Sequence, residues 1–232
     1  MGGKLKSWPL LLAACLVASA DEPSWRNKPV EQWDKEDAKQ VLTDSPWVKS
    51  VALQRVRDLS PDERRAGGDM QAGIGKGVGL AGIGMFGARR QAEALARARA
   101  KPDPGTVVVR WESARPVRAA ERQLRDTEAP AVDSAYYAIA VYDMPTPVRW
   151  NLAREVKGVA VLKRDKKKDL KPSGVVILRK DGGLATVVYL FRRSVEIAKR
   201  DGNVAFSAQI GRLFVSRMFS TKEMRIQGQL EL

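Results

Sequence analysis

"GVVILRKDGGLATVVYLFR", residues 174–192, decides the fold class of this chain. Two runs rich in β-branched and aromatic residues, 174–180 and 184–192, flank the turn signal at 181–183. Such side chains favour strands, and an Asp-Gly pair between two such runs is typical of a tight hairpin turn. The stretch therefore predicts two antiparallel strands joined by a short connection.

The same pattern recurs on both sides of this hairpin. Further strands are predicted at 106–112, 135–143, 159–164, 194–200, 204–210, 212–219 and 224–232, with a second tight turn at 201–203. Short strands separated by turn signals are typical of an antiparallel sandwich or meander. Ser113 and Pro116 mark the start of a helix that ends near Arg125, and we expect this helix to cover the sheet.

A shorter helix is predicted near the N-terminus. Asp34 is a natural N-cap, and Asp37, three positions later, completes an approximate capping box. Pro46 disfavours helix at the residue before it, so this helix should end near Thr43 or Asp44. The following residues, 47–59, fit either a helix or a strand.

The segment "GIGKGVGLAGIGMFG", residues 73–87, contains seven glycines in fifteen residues. Residues 77–82 match G-x-G-x-x-G, but no strand is predicted before them, and Lys76 is not followed by Ser or Thr as a P-loop requires. A flexible linker is the favoured interpretation because glycine raises the entropy cost of ordering the backbone. Membrane association through small-xxx-small spacing remains the alternative.

Together these signals predict an α+β chain with a short N-terminal helix, a Gly-rich linker and a C-terminal antiparallel β-rich domain with a covering helix. The predicted units are a signal peptide at 1–20, an N-terminal helical segment at 21–62, a Gly/Ala/Arg-rich linker at 63–104 and a β-rich domain at 105–232.

The N-terminus has the order of charges and apolar residues that an export signal requires. Lys4 and Lys6 precede an apolar run, and residues 18–20 fit the small-x-small rule for cleavage. We therefore expect a periplasmic or secreted protein. An alternative is lipidation of Cys15, because Leu12-Ala13-Ala14-Cys15 resembles a bacterial lipobox and would anchor the chain in the outer membrane.

The composition excludes several chemistries. The chain has no histidine and one cysteine, which removes Ser-His and Cys-His nucleophiles, the commonest transition-metal ligand and any intrachain disulfide. We predict no catalytic residue, no cofactor and no metal site. The formal net charge of +14 favours anionic partners.

The positive charge is concentrated in one region. Residues 149–200 hold fifteen Lys/Arg and five Asp/Glu, and the segment 163–171 lies at a predicted hairpin tip. The candidate contacts for an anionic partner are Lys166, Lys167, Lys168 and Lys171. A solvated edge loop that only keeps the protein soluble is the alternative.

Three blocks carry a resemblance to a family of exported bacterial proteins with no assigned activity. They are the block around "VLTDSPWVK", "VVRWESARPVRAAE" at 108–121 and "FSTKEMRIQGQLEL" at 219–232. The similarity runs from about residue 25 to the C-terminus. It implies export and a shared architecture, and it implies no catalytic residue.

The expected function is a non-enzymatic role in the cell envelope, as an interaction or structural module. Its partner would be an anionic envelope polymer, a lipid surface or another envelope protein. Nucleic acid and a transmembrane helix in the mature chain are not expected. The alternative is a carboxylate-dependent hydrolase of an envelope polysaccharide, which would need two acidic residues in a concave site, flanked by exposed tryptophans. We expect the tryptophans at 25, 33, 47, 111 and 150 to lie in the core instead.

Overall fold

The computed structural model describes residues 22–57, 62, 104–145, 153–165 and 167–232. The predicted signal peptide, Cys15, the Gly-rich segment, Trp150 and Lys166 lie outside these ranges. The described part is dominated by antiparallel strands, as the sequence predicts.

Twelve strands lie in these ranges. They are β1 (Val48–Ala52), β2 (Gln54–Arg55), β3 (Thr106–Trp111), β4 (Tyr136–Pro145), β5 (Ala160–Arg164), β6 (Lys167–Leu170), β7 (Gly174–Arg179), β8 (Leu184–Arg192), β9 (Asn203–Ile210), β10 (Leu213–Ser220), β11 (Arg225–Ile226) and β12 (Gln229–Leu230). The first sheet has the order β1-β3-β4-β8-β7, and the second has the order β2-β10-β9-β5-β6. All neighbouring strands are antiparallel.

The two sheets bury their facing side chains in one apolar core. Trp111 of the first sheet packs on Phe219 of the second, with ring centroids 5.3 Å apart. Tyr189 of the first sheet packs on Phe206 of the second, with ring centroids 5.2 Å apart. All four rings are at most 1% exposed. Burial of each large apolar side chain contributes about 1.5–3 kcal/mol, so these contacts between the sheets stabilise the sandwich.

The chain passes from one sheet to the other at Leu53, between β1 and β2. This side chain is buried, and its N–H donates to the carbonyl of Gly105 over 2.9 Å. Gly105 has a φ of +92°, which favours glycine. Residues 48–52 pair with β3, and residues 54–55 pair with β10. The stretch for which the sequence allowed either a helix or a strand thus contains two strands.

Four α-helices lie in the described ranges, α1 (Ser24–Asn27), α2 (Lys35–Thr43), α3 (Arg115–Leu124) and α4 (Ala153–Gly158). The apolar faces of α2 and α3 pack on each other and on the core. The predicted covering helix is α3, which ends at Arg125 in the left-handed conformation.

The N-terminus of α2 carries the predicted capping box. The Asp34 carboxylate accepts from the N–H groups of Glu36 and Asp37, each over 2.8 Å, and the Asp37 carboxylate accepts from the Asp34 N–H over 3.2 Å. The helix ends at Thr43, before Pro46, as predicted.

Two strand predictions are wrong. Residues 194–200 form an irregular loop, because the Ile197 N–H donates to the Tyr137 hydroxyl instead of to a strand and its side chain enters the core. Residues 224–232 form a short hairpin of β11 and β12, because Gln227 and Gly228 both have positive φ and turn the chain.

Candidate anion-binding edge of the sandwich

The predicted lysine cluster lies on the hairpin of β5 and β6 at the edge of the second sheet. Leu162 pairs with Leu170, and Arg164 pairs with Lys167. Lys168 and Lys171 are exposed, and within the described residues neither forms an ion pair.

Lys167 has a different environment from its neighbours. Its ammonium hydrogen-bonds to the Asp201 carboxylate, which is only 2% exposed. Burial alone would raise the pKa of Asp201, but the hydrogen bond and charge of Lys167 and the charge of Arg164 hold that pKa below its ordinary value. Lys167 therefore neutralises a buried carboxylate and is less available to a partner.

Arg164 holds the hairpin against the loop between β8 and β9. Its guanidinium is buried and lies 3.8 Å from the Asp201 carboxylate. It donates to the Lys168 carbonyl over 2.7 Å and to the Glu196 carbonyl over 3.4 Å. The buried Arg164–Asp201 pair thus brings two separate stretches of chain to the same place.

The contact between Arg164 and Asp201 places two further cations beside the predicted lysine cluster. Lys199 and Arg200 lie in the turn that ends at Asp201, are exposed, and form no ion pair within the described residues. We call the exposed side chains of Lys168, Lys171, Lys199 and Arg200 the basic edge. The sequence showed the density of positive charge between 149 and 200. It did not indicate the turn that carries Lys199 and Arg200, because residues 194–200 were predicted to form a strand.

A groove of about 770 Å³, open to solvent, lies beside this turn. It is lined by the loop between β8 and β9, by Tyr137 and by the last residues of the chain. Its apolar lining includes Ile197, Leu230 and Leu232, and its charged lining includes Arg193, Glu196, Lys199, Arg200 and Glu231.

One wall of the groove is fixed by Arg193. Its guanidinium lies over the Tyr137 ring at 4.4 Å, and it donates to the carbonyls of Tyr136 and Leu232. The Tyr137 hydroxyl in turn accepts from the Ile197 N–H over 3.1 Å. These contacts position the loop, so Arg193 shapes the groove rather than presenting a free cation.

The two carboxylates that line the groove differ in their partners. Glu231 accepts from Arg115 over 2.8 Å and 3.2 Å. Glu196 is exposed and forms no side-chain ion pair within the described ranges. Within the described part of the chain, the groove therefore combines two cations and one carboxylate that form no ion pair.

A second pair of carboxylates is buried elsewhere, beside α3. Glu112 and Glu121 are 0% and 3% exposed, and Arg110 donates to both over 2.8 Å. Arg118 donates to Glu121 over 2.7 Å, and the Tyr142 hydroxyl donates to Glu112 over 2.9 Å. Because both carboxylates are almost fully buried and bind Arg110 of β3, the cluster fastens α3 to the first sheet.

This cluster changes the titration of Glu121. Burial, followed by the hydrogen bond and the charge of Glu112, raises the pKa of Glu121 to about 9, while Arg110 and Arg118 act in the opposite direction. Protonation of Glu121 relieves its repulsion from the nearby Glu112 carboxylate.

The tryptophans do not form a sugar-binding platform in the described part of the chain. Those at 25, 33, 47 and 111 are at most 5% exposed, which confirms their prediction as core residues. The described residues also contain no cluster of three or more acidic or cysteine side chains placed to hold a metal ion. Among the helices of those residues, none combines the length and apolar character that crossing a bilayer requires.

Comparison with known proteins gives no relative. The chain matches no family model, no curated protein and no solved structure. The resemblance to a family of exported proteins therefore stays a prediction that rests on its three sequence blocks.

Proposed function

We propose that this protein is an exported, non-enzymatic module of the cell envelope that binds an anionic polymer through its basic edge. The observation that carries the proposal is that the buried Arg164–Asp201 pair joins the hairpin of β5 and β6 to the turn at Lys199–Asp201, and that four exposed cations on these two stretches form no ion pair within the described residues. Export rests on the N-terminal signal, with lipidation of Cys15 as the alternative route to the same compartment.

The strength of such binding depends on the number of contacts. One exposed ion pair contributes at most about 1 kcal/mol, so a partner with a single charge would bind weakly. A polymer with many charges engages several cations of the basic edge at once and gains from their proximity. Because the cations are exposed, binding should weaken as salt is added.

The test is retention of the mature chain on dextran sulfate beads, with uncharged dextran beads as the reference. The variant Lys168→Gln, Lys171→Gln, Lys199→Gln, Arg200→Gln should elute at clearly lower salt than the wild type. The matched control removes four exposed cations elsewhere that have no ion pair among the described residues, through Lys35→Gln, Arg55→Gln, Arg122→Gln and Arg212→Gln. Equal loss of retention in both variants would show that net charge, and not the basic edge, governs binding.

The second candidate is the carboxylate-dependent hydrolase. The observation in its favour is that Glu196 and Glu231 line the same groove. Glycosidases use two such groups on either side of the scissile bond. The pairing of Glu231 with Arg115 counts against this role, because the guanidinium already occupies one of the carboxylate oxygens. Release of new reducing ends from a bound acidic polysaccharide would support hydrolysis.

A further inference from the structure

The groove beside the basic edge is lined by both apolar and charged side chains. Ile197 and Leu232 are 3% and 9% exposed, while Lys199 and Arg200 stand exposed at the rim. A chain that lies in the groove can contact both. The open shape suits a segment of a linear polymer better than it suits an enclosed small molecule.

The charges of the groove restrict the chemistry of that segment. Lys199 and Arg200 require an anionic group, and an arginine side chain pairs well with carboxylate or phosphate oxygens. The Glu196 carboxylate lines the same groove and forms no ion pair with any residue that the structure describes. A polyanion without hydrogen-bond donors would be repelled by this carboxylate, whereas a ligand with hydroxyl groups can donate to it.

The apolar part of the lining adds a third requirement. Leu230 is partly exposed in the groove, next to the nearly buried Ile197 and Leu232. A sugar ring offers C–H groups for such a surface and hydroxyl groups for Glu196. A uronic acid also offers a carboxylate for Lys199 and Arg200.

We propose that the groove binds an acidic oligosaccharide, as a segment of the anionic polymer. This inference rests on the proposed function and names its ligand class. Lys199 and Arg200 bind the acidic group of the sugar, Glu196 accepts from its hydroxyl groups, and Leu230 contacts its ring. Lys168 and Lys171 contact further anionic groups along the same chain.

The test is isothermal titration calorimetry of the mature chain with three probes. They are trigalacturonate, the neutral trisaccharide maltotriose and inorganic tripolyphosphate. We expect trigalacturonate to bind most tightly and maltotriose to show no measurable binding. The double variant Lys199→Gln, Arg200→Gln should weaken trigalacturonate binding about tenfold or more, since hydrogen bonds to charged groups are lost. The matched double variant Lys168→Gln, Lys171→Gln should weaken it by less than about threefold because neither lysine lines the groove, and an exposed ion pair contributes little.

A variant of Glu196 distinguishes an acidic oligosaccharide from a polyanion that has no hydroxyl groups. Glu196→Ala should weaken trigalacturonate, because hydroxyl groups lose their acceptor, and should strengthen tripolyphosphate, because a repulsive charge is lost. Stronger binding of both probes by this variant would overturn the inference. So would equal binding of maltotriose and trigalacturonate, or the tightest binding by tripolyphosphate.

The two proposals fail in different ways. If neither dextran sulfate nor any anionic probe binds, or if anionic vesicles bind and soluble polyanions do not, the proposed function is wrong. If dextran sulfate binds through Lys168 and Lys171 while trigalacturonate is insensitive to the groove variants, only the assignment of the acidic oligosaccharide to the groove is wrong.

Discussion

The indole N–H of Trp47 donates to the carbonyl oxygen of Glu231 over 2.7 Å and so joins residues 184 positions apart in the chain. The side chain of Glu231 also accepts from Arg115 at the start of α3. The last residues of the chain are therefore tied to the N-terminal segment and to the covering helix. Because Leu230, Glu231 and Leu232 also line the groove, the same contacts fix one of its walls.

Trp47→Phe should destabilise the protein more than Trp111→Phe. Both indoles are 0% exposed, but only Trp47 makes a hydrogen bond, whereas the Trp111 N–H has no partner in the described part of the chain. The difference in the free energy of unfolding should be about 0.5–1.5 kcal/mol, the net contribution of one hydrogen bond. Urea denaturation of the two variants measures it, and equal losses would contradict the importance of the Trp47–Glu231 contact.

Stability should fall as the pH rises from about 5 to about 9, because of Glu121. Its pKa of about 9 in the folded protein lies above the ordinary value of 4.5, so the folded state holds this proton more tightly than the unfolded chain does. The stabilisation is complete below pH 4.5 and is lost as the pH rises through the folded pKa. Urea midpoints measured across this range test the trend.

Glu121→Gln should flatten that decline, because the amide resembles the protonated carboxyl and does not titrate. Glu128 supplies the control. It is exposed, and the hydrogen bond and charge of Lys180 lower its pKa. Glu128→Gln should therefore leave the decline between pH 5 and about 9 as in the wild type. A wild-type slope in Glu121→Gln would assign the decline to another group.

Local signals in the sequence predicted much of the fold. The capping box depends on residues three positions apart, and the hairpin of β7 and β8 depends on β-branched runs around Gly182 and Gly183. Both are decided by neighbours in the chain. The loop at 194–200 was missed because Tyr137, far away in the sequence, takes the Ile197 N–H.

In the candidate site too, the features set by neighbouring residues were predicted and those set by distant residues were not. The lysines of the β5–β6 hairpin were visible as a run of charge. The groove was not, because Arg164 and Asp201 meet only in the folded chain, as do Arg193 and Tyr137. No periodicity or motif marks such long-range pairs.

Asp34→Ala should destabilise the protein by about 1 kcal/mol, the usual cost of losing an N-cap. Asp37→Ala should cost more. Besides its role in the capping box, the Asp37 carboxylate accepts from Ser24 and from Lys28, the latter over 2.7 Å, and is nearly buried. Thermal unfolding of both variants gives the order, and a larger loss in Asp34→Ala would contradict the role of Asp37 as the anchor of α1.

Lys167→Met and Lys168→Met remove equal charge from neighbouring positions of β6. We expect Lys167→Met to lose more stability and Lys168→Met to lose more binding. Lys167 neutralises the buried Asp201, so its loss leaves a buried carboxylate with one fewer charged donor and should cost about 1–3 kcal/mol. Lys168 has no ion pair within the described residues, so the free energy of unfolding of Lys168→Met should stay within about 0.5 kcal/mol of the wild type.

On dextran sulfate the order of the two variants should reverse, with the larger loss of retention in Lys168→Met. Urea denaturation and salt elution of the same two proteins measure both quantities, and a Lys167→Met protein with wild-type stability would show that Asp201 does not depend on this lysine.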